Sequence, residues 1–133
     1  MLTRTFNAKE YTLRLKATIQ ATGKLGFTAE TIKTLELTSE CSIVIGPDDE
    51  NSEVMYMGVA RERREDAFPV LSSGTYLYLN TKQLFDDLGI DYSVQWTVMF
   101  DLTRFKEGDE LMGCECYKMQ MRKNPRCGEE KEA

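Results

Sequence analysis

The sequence predicts one α+β domain, mostly β, that consists of two related β-β-α-β halves with short helices. Several segments alternate apolar and polar residues with a period of two, which indicates half-buried strands. Short helical stripes follow glycine turns, and the whole order of signals occurs twice. The length of 133 residues, 41% of them hydrophobic, suits one domain with a single core.

The first half begins with a strand over residues 11–20, whose outward face is polar and partly basic. A turn at Gly23 leads to a short extended piece over 24–27. Thr28 is typical of a helix N-cap, because its hydroxyl accepts a hydrogen bond from a free backbone amide. The helix is expected to end near Glu36. Two further strands are predicted over 41–45 and 53–60.

The second half has the same order of elements. A short strand over 68–71 precedes a turn at Gly74, and Asn80 is the N-cap candidate. Gly89 is expected to end the helix, since glycine readily adopts the left-handed conformation that closes one. The other predicted elements are strands at 76–79, 95–102 and 110–121 and a hairpin turn at 106–109.

The two halves align at an offset of 51 to 53 residues. The aligned pairs are Gly23 with Gly74, Thr28 with Asn80, Ile32 with Leu84, Leu35 with Leu88, and Ile43 with Trp96. One unit of about 50 residues buries too little apolar area to be stable alone, so two units must share one core. Such units occur as homodimers of short chains or as a fused tandem, and this chain is predicted to be the fused kind.

The domain boundaries follow from this repeat. We predict a single domain over 1–122, with halves 11–60 and 67–122, and a flexible polar tail over 123–133. Six consecutive charged residues, 61–66, join the halves. They fit a solvated linker or a weak basic patch, and the interleaved acids favour the linker.

The absence of histidine narrows the chemistry that the chain can perform. Histidine is the commonest general base near neutral pH, so Ser-His-Asp and Cys-His nucleophile systems are excluded. No phosphate-loop, nucleotide-fold or zinc-protease motif occurs. The sequence therefore predicts a non-catalytic protein with no cofactor, although carboxylates, lysine and tyrosine remain available as catalytic groups.

Four cysteines bear on metal binding and location: Cys41, Cys114, Cys116 and Cys127. Zinc sites use cysteine pairs separated by two to four residues and often histidine, so Cys114 and Cys116 are interpreted instead as small apolar residues on one face of a strand. The first ten residues lack the apolar centre of an export signal, and no apolar run approaches the roughly 20 residues that cross a bilayer. We therefore predict a cytoplasmic protein with free thiols and no membrane partner.

Charge is distributed unevenly along the chain. The formal net charge is −5, which argues against a general nucleic-acid coat protein. Residues 1–46 nevertheless carry a net charge of +2, whereas residues 47–133 carry −7. An anionic partner is therefore expected to prefer the N-terminal part.

The stretch Gly23-Lys24-Leu25-Gly26-Phe27-Thr28-Ala29-Glu30 resembles the AbrB/MazE/SpoVT swapped-hairpin family, as does Leu88-Gly89-Ile90 in the second half. Lys24 stands at the basic position of the family pattern, and Glu30 and Leu35 also fit. Thr28 and Asn80 replace the family's proline. The resemblance covers roughly 25 residues in each half and implies a β-barrel of two interlocked hairpins, each of a size that cannot fold alone.

Many members of that family bind DNA as transcriptional regulators or antitoxins, and the resemblance implies a similar role here. It makes Lys24 the best-matched DNA contact. Arg14 and Lys16, on the outward face of the preceding strand, add cations that would neutralise phosphates. The alternative is that all three are ordinary solvated side chains. Asp86 and Asp87 make the second half acidic where the family tends to be basic, so contact by the N-terminal basic face alone is expected.

A protein-interaction or scaffold domain with no nucleic-acid binding is the alternative function. The acidic second half favours it, as do four aromatic residues of exposed type, namely Tyr76, Tyr78, Tyr92 and Trp96. Core packing is the competing interpretation of these aromatics, above all of Trp96. Both a monomer and a homodimer fit the sequence, because an exposed edge strand can pair two chains.

Overall fold

The computed structural model describes residues 1–5, 15–92 and 96–125. Within these ranges the strands are β1 (Lys16–Ile19), β2 (Leu25–Phe27), β3 (Ser42–Pro47), β4 (Val54–Ala60), β5 (Phe68–Pro69), β6 (Leu71–Ser73), β7 (Tyr76–Leu79), β8 (Trp96–Arg104) and β9 (Glu115–Pro125). The helices are α1 (Ala29–Leu35), α2 (Lys82–Asp87), the 3-10 turn η1 (Lys106–Gly108) and α3 (Asp109–Met112). Strands far outweigh short helices, which confirms the predicted α+β, mostly β class.

The described strands form one antiparallel sheet in the order β5-β3-β4-β9-β8-β1-β2-β7-β6. Its two edge strands, β5 and β6, are consecutive in the chain and are separated only by Val70. The sheet therefore curls until its edges meet at this residue, giving a nearly closed barrel. Val70 is fully buried, and its amide donates a hydrogen bond to the Cys41 carbonyl at 3.1 Å.

The two halves of the barrel exchange strands. β1 of the first half pairs with β8 of the second, and β5 of the second half pairs with β3 of the first. The other strand pairs between the halves join corresponding strands, β2 with β7 and β4 with β9. The strand order is therefore unchanged when the halves are interchanged, as expected for a swapped-hairpin barrel. Each half also has a strand beyond the β-β-α-β unit, β4 in the first half and β9 in the second, and in the second half β5 and β6 together take the place of β1.

The core fills the barrel interior from alternate strand positions. In β8, Val98, Phe100 and Leu102 are buried, while Met99 and Asp101 between them are partly exposed on the outer surface. The largest fully buried side chains come from both halves and include Ile19, Leu25, Leu35, Ile43, Met57, Leu79, Phe85, Phe100 and Met119. One core thus serves both halves.

Helices α1 and α2 end with the same hydrogen-bond pattern. The Leu37 amide donates to the Ile32 carbonyl at 3.0 Å, and the Ile90 amide donates to the Phe85 carbonyl at 3.1 Å. A left-handed residue precedes each amide, Glu36 with φ 55° in α1 and Gly89 with φ 73° in α2. Gly89 therefore ends α2 as predicted. The two helices align at an offset of 53 residues, so Ile32 corresponds to Phe85 and the predicted pairing of Ile32 with Leu84 is wrong.

The N-cap prediction is right for α1 and wrong for α2. The Thr28 hydroxyl accepts from the Thr31 amide at 3.2 Å, as a capping side chain does. In α2 the N-cap position belongs to Thr81 and not to Asn80. The buried Thr81 hydroxyl makes no cap bond, because it donates to the Gly23 carbonyl at 3.0 Å and so fastens the β1–β2 turn to the helix.

The predicted alignment of Ile43 with Trp96 is also wrong. Ile43 lies opposite Phe68 in the β3–β5 pair, and Phe100 lies opposite Ala17 in the β1–β8 pair. Ala17 and Phe68 are separated by the same 51 residues as the glycine turns. Phe100, which is fully buried like Ile43, therefore takes the equivalent place, because the chain between helix and strand is longer in the second half.

The charged segment 61–66 connects β4 to β5, but its arginines bind backbone carbonyls, which the side chains of a solvated linker would not do. Arg61 donates to the Leu35 and Glu36 carbonyls, each at 2.8 Å, and so covers the C-terminal end of α1. Arg64 donates to the Met112 carbonyl at 2.9 Å and pairs with Asp66 at 2.8 Å. These contacts fasten the connection to both halves.

The predicted turn at 106–109 is instead a longer helical excursion through η1 and α3. Gly113, with φ 73°, ends α3, and β9 then runs from Glu115 to Pro125. The strand includes residues 123–125, which were assigned to the tail, because they pair with residues 96–98 of β8. Residues 126–133, the rest of that tail, lie outside the described residues. Within the described ranges, none of the helices has the length and apolar character needed to span a bilayer.

Candidate nucleic-acid interface

Two of the three predicted DNA contacts lie on adjacent strands at the outer surface of the barrel. Lys16 begins β1, and Lys24 directly precedes β2; both side chains are partly exposed. Among the described residues, neither lysine forms an ion pair. The third, Arg14, lies outside the described residues.

The strand register shows which side chains accompany these lysines. Residues directly opposite each other in neighbouring antiparallel strands point to the same face of the sheet. One outward row crosses five strands through Tyr78, Gly26, Thr18, Met99 and Arg122. Lys16 and Lys24 lie on either side of this row, two residues from Thr18 and two from Gly26. We call the surface formed by this row and the two lysines the basic face.

Two tyrosines shape the basic face on β7. The Lys24 ammonium lies 4.9 Å from the centroid of the Tyr78 ring, a cation–π contact. Tyr76 and Tyr78 stack with their ring centroids 5.9 Å apart. The Tyr76 hydroxyl lies across Gly26, where an added Cβ would meet it at 1.7 Å, so only glycine fits there. The two tyrosines are thus partly exposed on the outer surface, outside the core.

Arg122 on β9 is a cation that the sequence interpretation missed. Its Nε lies 2.7 Å from the Asp101 carboxylate, and its guanidinium also contacts the sulfur of Met99. Asp101 in turn lies opposite Lys16 across the β1–β8 pair. The basic face therefore combines three cations with one carboxylate, in a chain whose net charge is −5. Alternation of polar and apolar residues in 118–122 is the sequence signal for Arg122, which lies one residue beyond the predicted strand 110–121.

Trp96 is the first residue of β8. It is only partly buried, and the Lys123 ammonium lies 4.9 Å from its ring centroid. The same ammonium is 3.9 Å from the Asp91 carboxylate. The expectation that Trp96 belongs to the core is therefore wrong, because β8 continues past the end of the barrel core at Val98. Tyr92 packs against the core and donates to Asp86.

A concave surface lies where β4 and β8 end and β9 begins, away from the row that defines the basic face. A cavity of about 660 Å³ is bordered by the β4–β5 connection and by the start of β9. Its lining carries Arg104, which binds Asp109 through two contacts of 2.7 and 2.8 Å. This guanidinium, together with the Cys116 amide, lowers the pKa of Asp109 to about 2. Asp109 is therefore ionised at neutral pH and fixed in place, so it is a poor general base.

The prediction that the two cysteines near this cavity lie on one face of a strand is right for Cys116, which lies in β9, and wrong for Cys114, which directly precedes that strand. Cys114 packs against Gly58, and Cys116 lies beneath Gly108. Burial raises the pKa of both thiols, so the reactive thiolate is a minor form at neutral pH. No group of three or more metal-ligating side chains occurs in residues 1–5, 15–92 and 96–125. Cys127 is outside those ranges.

The described chain thus offers a basic face and, apart from it, a concave surface whose lining carries four carboxylates and two arginines. Surfaces of different charge on one small domain can attract different kinds of ligand. In comparisons with models of protein families, with curated proteins and with solved structures, no match to this chain was found.

Proposed function

We propose that this protein is a non-catalytic DNA-binding module, of the regulator or antitoxin type, that contacts phosphates through the basic face. Lys16 and Lys24 carry the proposal, because two lysines without ion-pair partners among the described residues lie on adjacent strands of an otherwise acidic protein. A phosphate that binds such a lysine therefore breaks no ion pair between described residues. Phosphate contacts of this kind position a protein on DNA without reading its sequence.

The spacing of the two lysines suits a phosphate backbone. Lys24 lies beside Gln20 in the β1–β2 pair, since the Gln20 amide donates to the Lys24 carbonyl at 2.8 Å. Lys16 is four residues from Gln20 along β1, which is a distance of about 13 Å. At a rise of about 3.4 Å per nucleotide, this distance corresponds to roughly four nucleotides of one strand. One DNA segment can therefore contact both lysines.

The exchange of strands between the halves supports the resemblance to the AbrB/MazE/SpoVT family, whose hairpins interlock in the same general way. The departures in the second half limit the analogy, because α2 carries Asp86 and Asp87 where basic residues are common. Contact through one face is therefore proposed instead of symmetric contact. The cytoplasmic location predicted from the sequence is part of the same proposal.

The test is fluorescence anisotropy with random-sequence duplex DNA at about 50 mM and about 200 mM salt. Wild type is compared with the double variant Lys16→Glu/Lys24→Glu. The control variant, Lys33→Glu/Lys106→Glu, makes the same change of charge at exposed positions outside the basic face. Wild type and control should bind at low salt and weaken at higher salt. The Lys16/Lys24 variant should lose most of this binding, with a salt slope smaller by about 2.

Two results would contradict the proposal. Absence of wild-type binding at low salt, where attraction between the basic face and phosphate is strongest, would rule out a DNA-binding function. Equal losses in the two double variants would show that only the net charge matters. Either result would leave a protein partner as the leading alternative.

A further inference from the structure

An apolar groove lies on the outer surface of β3 and β4, on the side of the barrel opposite to β2 and β7. It has a volume of about 320 Å³ between the β3–β4 loop and the helical excursion that precedes β9. The residues that line it include Pro47, Tyr56, Phe105, Leu111 and Met112. Leu111 is 90% exposed at the rim, the largest exposure of a large apolar side chain in residues 15–92 and 96–125. We call this feature the Leu111 groove.

The walls of the Leu111 groove are held in place by hydrogen bonds and ring packing. Asp48 accepts from the Glu50 and Asn51 amides at 3.1 and 2.9 Å, which closes the β3–β4 loop. The Tyr56 hydroxyl donates to Asp48 at 2.8 Å, and the Tyr56 ring packs on Phe105 with centroids 4.9 Å apart. The groove is therefore formed before any ligand arrives, which reduces the ordering cost of binding.

The helical excursion is fixed against the barrel in a similar way. The Cys116 amide and the Arg104 guanidinium both bind Asp109, and Arg64 holds the Met112 carbonyl. Met112 packs against Gly58, where any side chain would collide with its sulfur. Leu111, one residue earlier, has no such place in the core and projects into solvent.

Both sides of the groove are acidic. Residues 46–53 contain four carboxylates and neither lysine nor arginine. Asp49 and Glu50 are exposed on that side. On the other side the exposed Glu107 and Glu110 are chain neighbours of the lining residues Gly108 and Leu111, and Glu110 also lines the larger cavity. Two lysines lie nearby, Lys106 in η1 and Lys118 in β9. They offset only part of this negative charge. The apolar floor is thus surrounded by an excess of carboxylates.

The geometry points to the Leu111 groove as a docking site for a cationic amphipathic segment of a partner protein. An apolar side chain of that segment enters the groove against Leu111, Phe105 and Met112. Its lysine or arginine residues lie over Asp49 and Glu50. Charge complementarity selects this occupant, since an acidic segment or a nucleic acid would be repelled by the rim. The basic face, on the opposite side of the barrel, remains accessible at the same time.

The test uses a fluorescent peptide of about 12 residues with leucine at every third or fourth position and lysine elsewhere. Two matched peptides replace every leucine by serine or every lysine by glutamate. Binding to the full chain is measured by anisotropy at about 150 mM salt, where long-range attraction is screened. Only the lysine–leucine peptide should bind, because it alone matches both the apolar floor and the acidic rim.

Protein variants then locate the binding surface. Leu111→Ser and Asp49→Lys/Glu50→Lys should each weaken binding by about tenfold or more. Leu88→Ser, which changes an exposed leucine at the end of α2, and Glu30→Lys/Glu40→Lys should leave it unchanged. These positions are exposed, so the folded state should persist in every variant, as circular dichroism would verify.

Each remaining outcome would overturn the inference. The first is that the lysine–leucine peptide fails to bind, and the second is that the serine peptide binds as tightly as the lysine–leucine peptide. The third such outcome is that Leu111→Ser and Leu88→Ser bind the lysine–leucine peptide with the same affinity. Sedimentation that shows a dimer lost in Leu111→Ser would assign the groove to a second copy of this chain. Because Lys16 and Lys24 are distant from the groove, Lys16→Glu/Lys24→Glu should bind the peptide normally, so failure of this inference is distinguishable from failure of DNA binding.

Discussion

Leu35 and Leu88 occupy the same position at the ends of helices α1 and α2, yet Leu35 is 1% exposed and Leu88 is 50% exposed. The second helix is anchored instead by Phe85, which is fully buried and packs on Phe100 with ring centroids 6.2 Å apart. At the position of Phe85, the first helix has Ile32, which is only partly buried. The shared backbone turn fixes the path of both helices, while side-chain size decides which residue anchors each one.

The two helices also differ in their polar contacts to the barrel. The Thr31 hydroxyl in α1 accepts from the Lys16 amide at 2.8 Å and lies 3.1 Å from the Lys16 carbonyl, so it ties the helix to β1. The equivalent residue of α2 is Leu84, which packs against the core and has no polar side-chain atom. At this position a polar tie in α1 is therefore replaced by apolar packing in α2, whose polar tie to the barrel comes from Thr81 at its N-cap.

The largest effect is expected from Leu35→Ala. Removing this fully buried side chain should lower the free energy of unfolding by about 2–5 kcal/mol, through lost burial and the cavity left behind. The matched change Leu88→Ala should cost about 0.5 kcal/mol or less, since half of that side chain is already in water. Urea unfolding followed by circular dichroism measures both values. Equal losses would mean that the two helices are anchored alike.

A smaller effect is expected from Thr31→Val. Valine has nearly the same shape but leaves the Lys16 amide without its acceptor, which should cost about 1–3 kcal/mol. Thr31→Ser keeps the hydroxyl and is the control. Hydrogen exchange of the Lys16 amide separates the two: it should accelerate in the valine variant and stay slow in the serine variant. Unchanged protection in both variants would show that the hydroxyl does not hold β1.

Periodicity was enough to predict the strands and to place Lys16 on an outward face, because alternation in a strand reports directly on burial. The barrel and the choice of Lys24 depended instead on the resemblance to the AbrB/MazE/SpoVT family. The residue-by-residue correspondence between the halves was not predictable, because it depends on how the strands pair. Only the observed register shows that Phe100 corresponds to Ile43. The Leu111 groove was also missed. It depends on α3, which is too short to give a helical period, and on contacts such as that from Arg64 to the Met112 carbonyl, which join residues far apart in the chain.

The smallest predicted effect concerns the left-handed residues that end the helices. Glu36 adopts φ 55° despite its side chain, whereas Gly89 adopts φ 73° without steric cost. Gly89→Ala should therefore lower the free energy of unfolding by about 1 kcal/mol. Glu36→Gly should be more stable than Glu36→Ala by a similar amount, because alanine keeps the strain that glycine relieves. Thermal unfolding of all three variants beside wild type provides the comparison.

The difference in free energy of unfolding between glycine and alanine at positions 36 and 89 shows which interactions stabilise these turns. Arg61 binds the carbonyls of Leu35 and Glu36, which are backbone groups that neither substitution at Glu36 removes. If glycine is favoured over alanine by the same free energy at both positions, the left-handed backbone alone determines this difference, and Arg61 only covers the helix end. If it is present at Gly89 but absent at Glu36, the arginine contacts favour a turn geometry that tolerates a side chain. In that case Arg61→Ala should restore the preference for glycine at position 36.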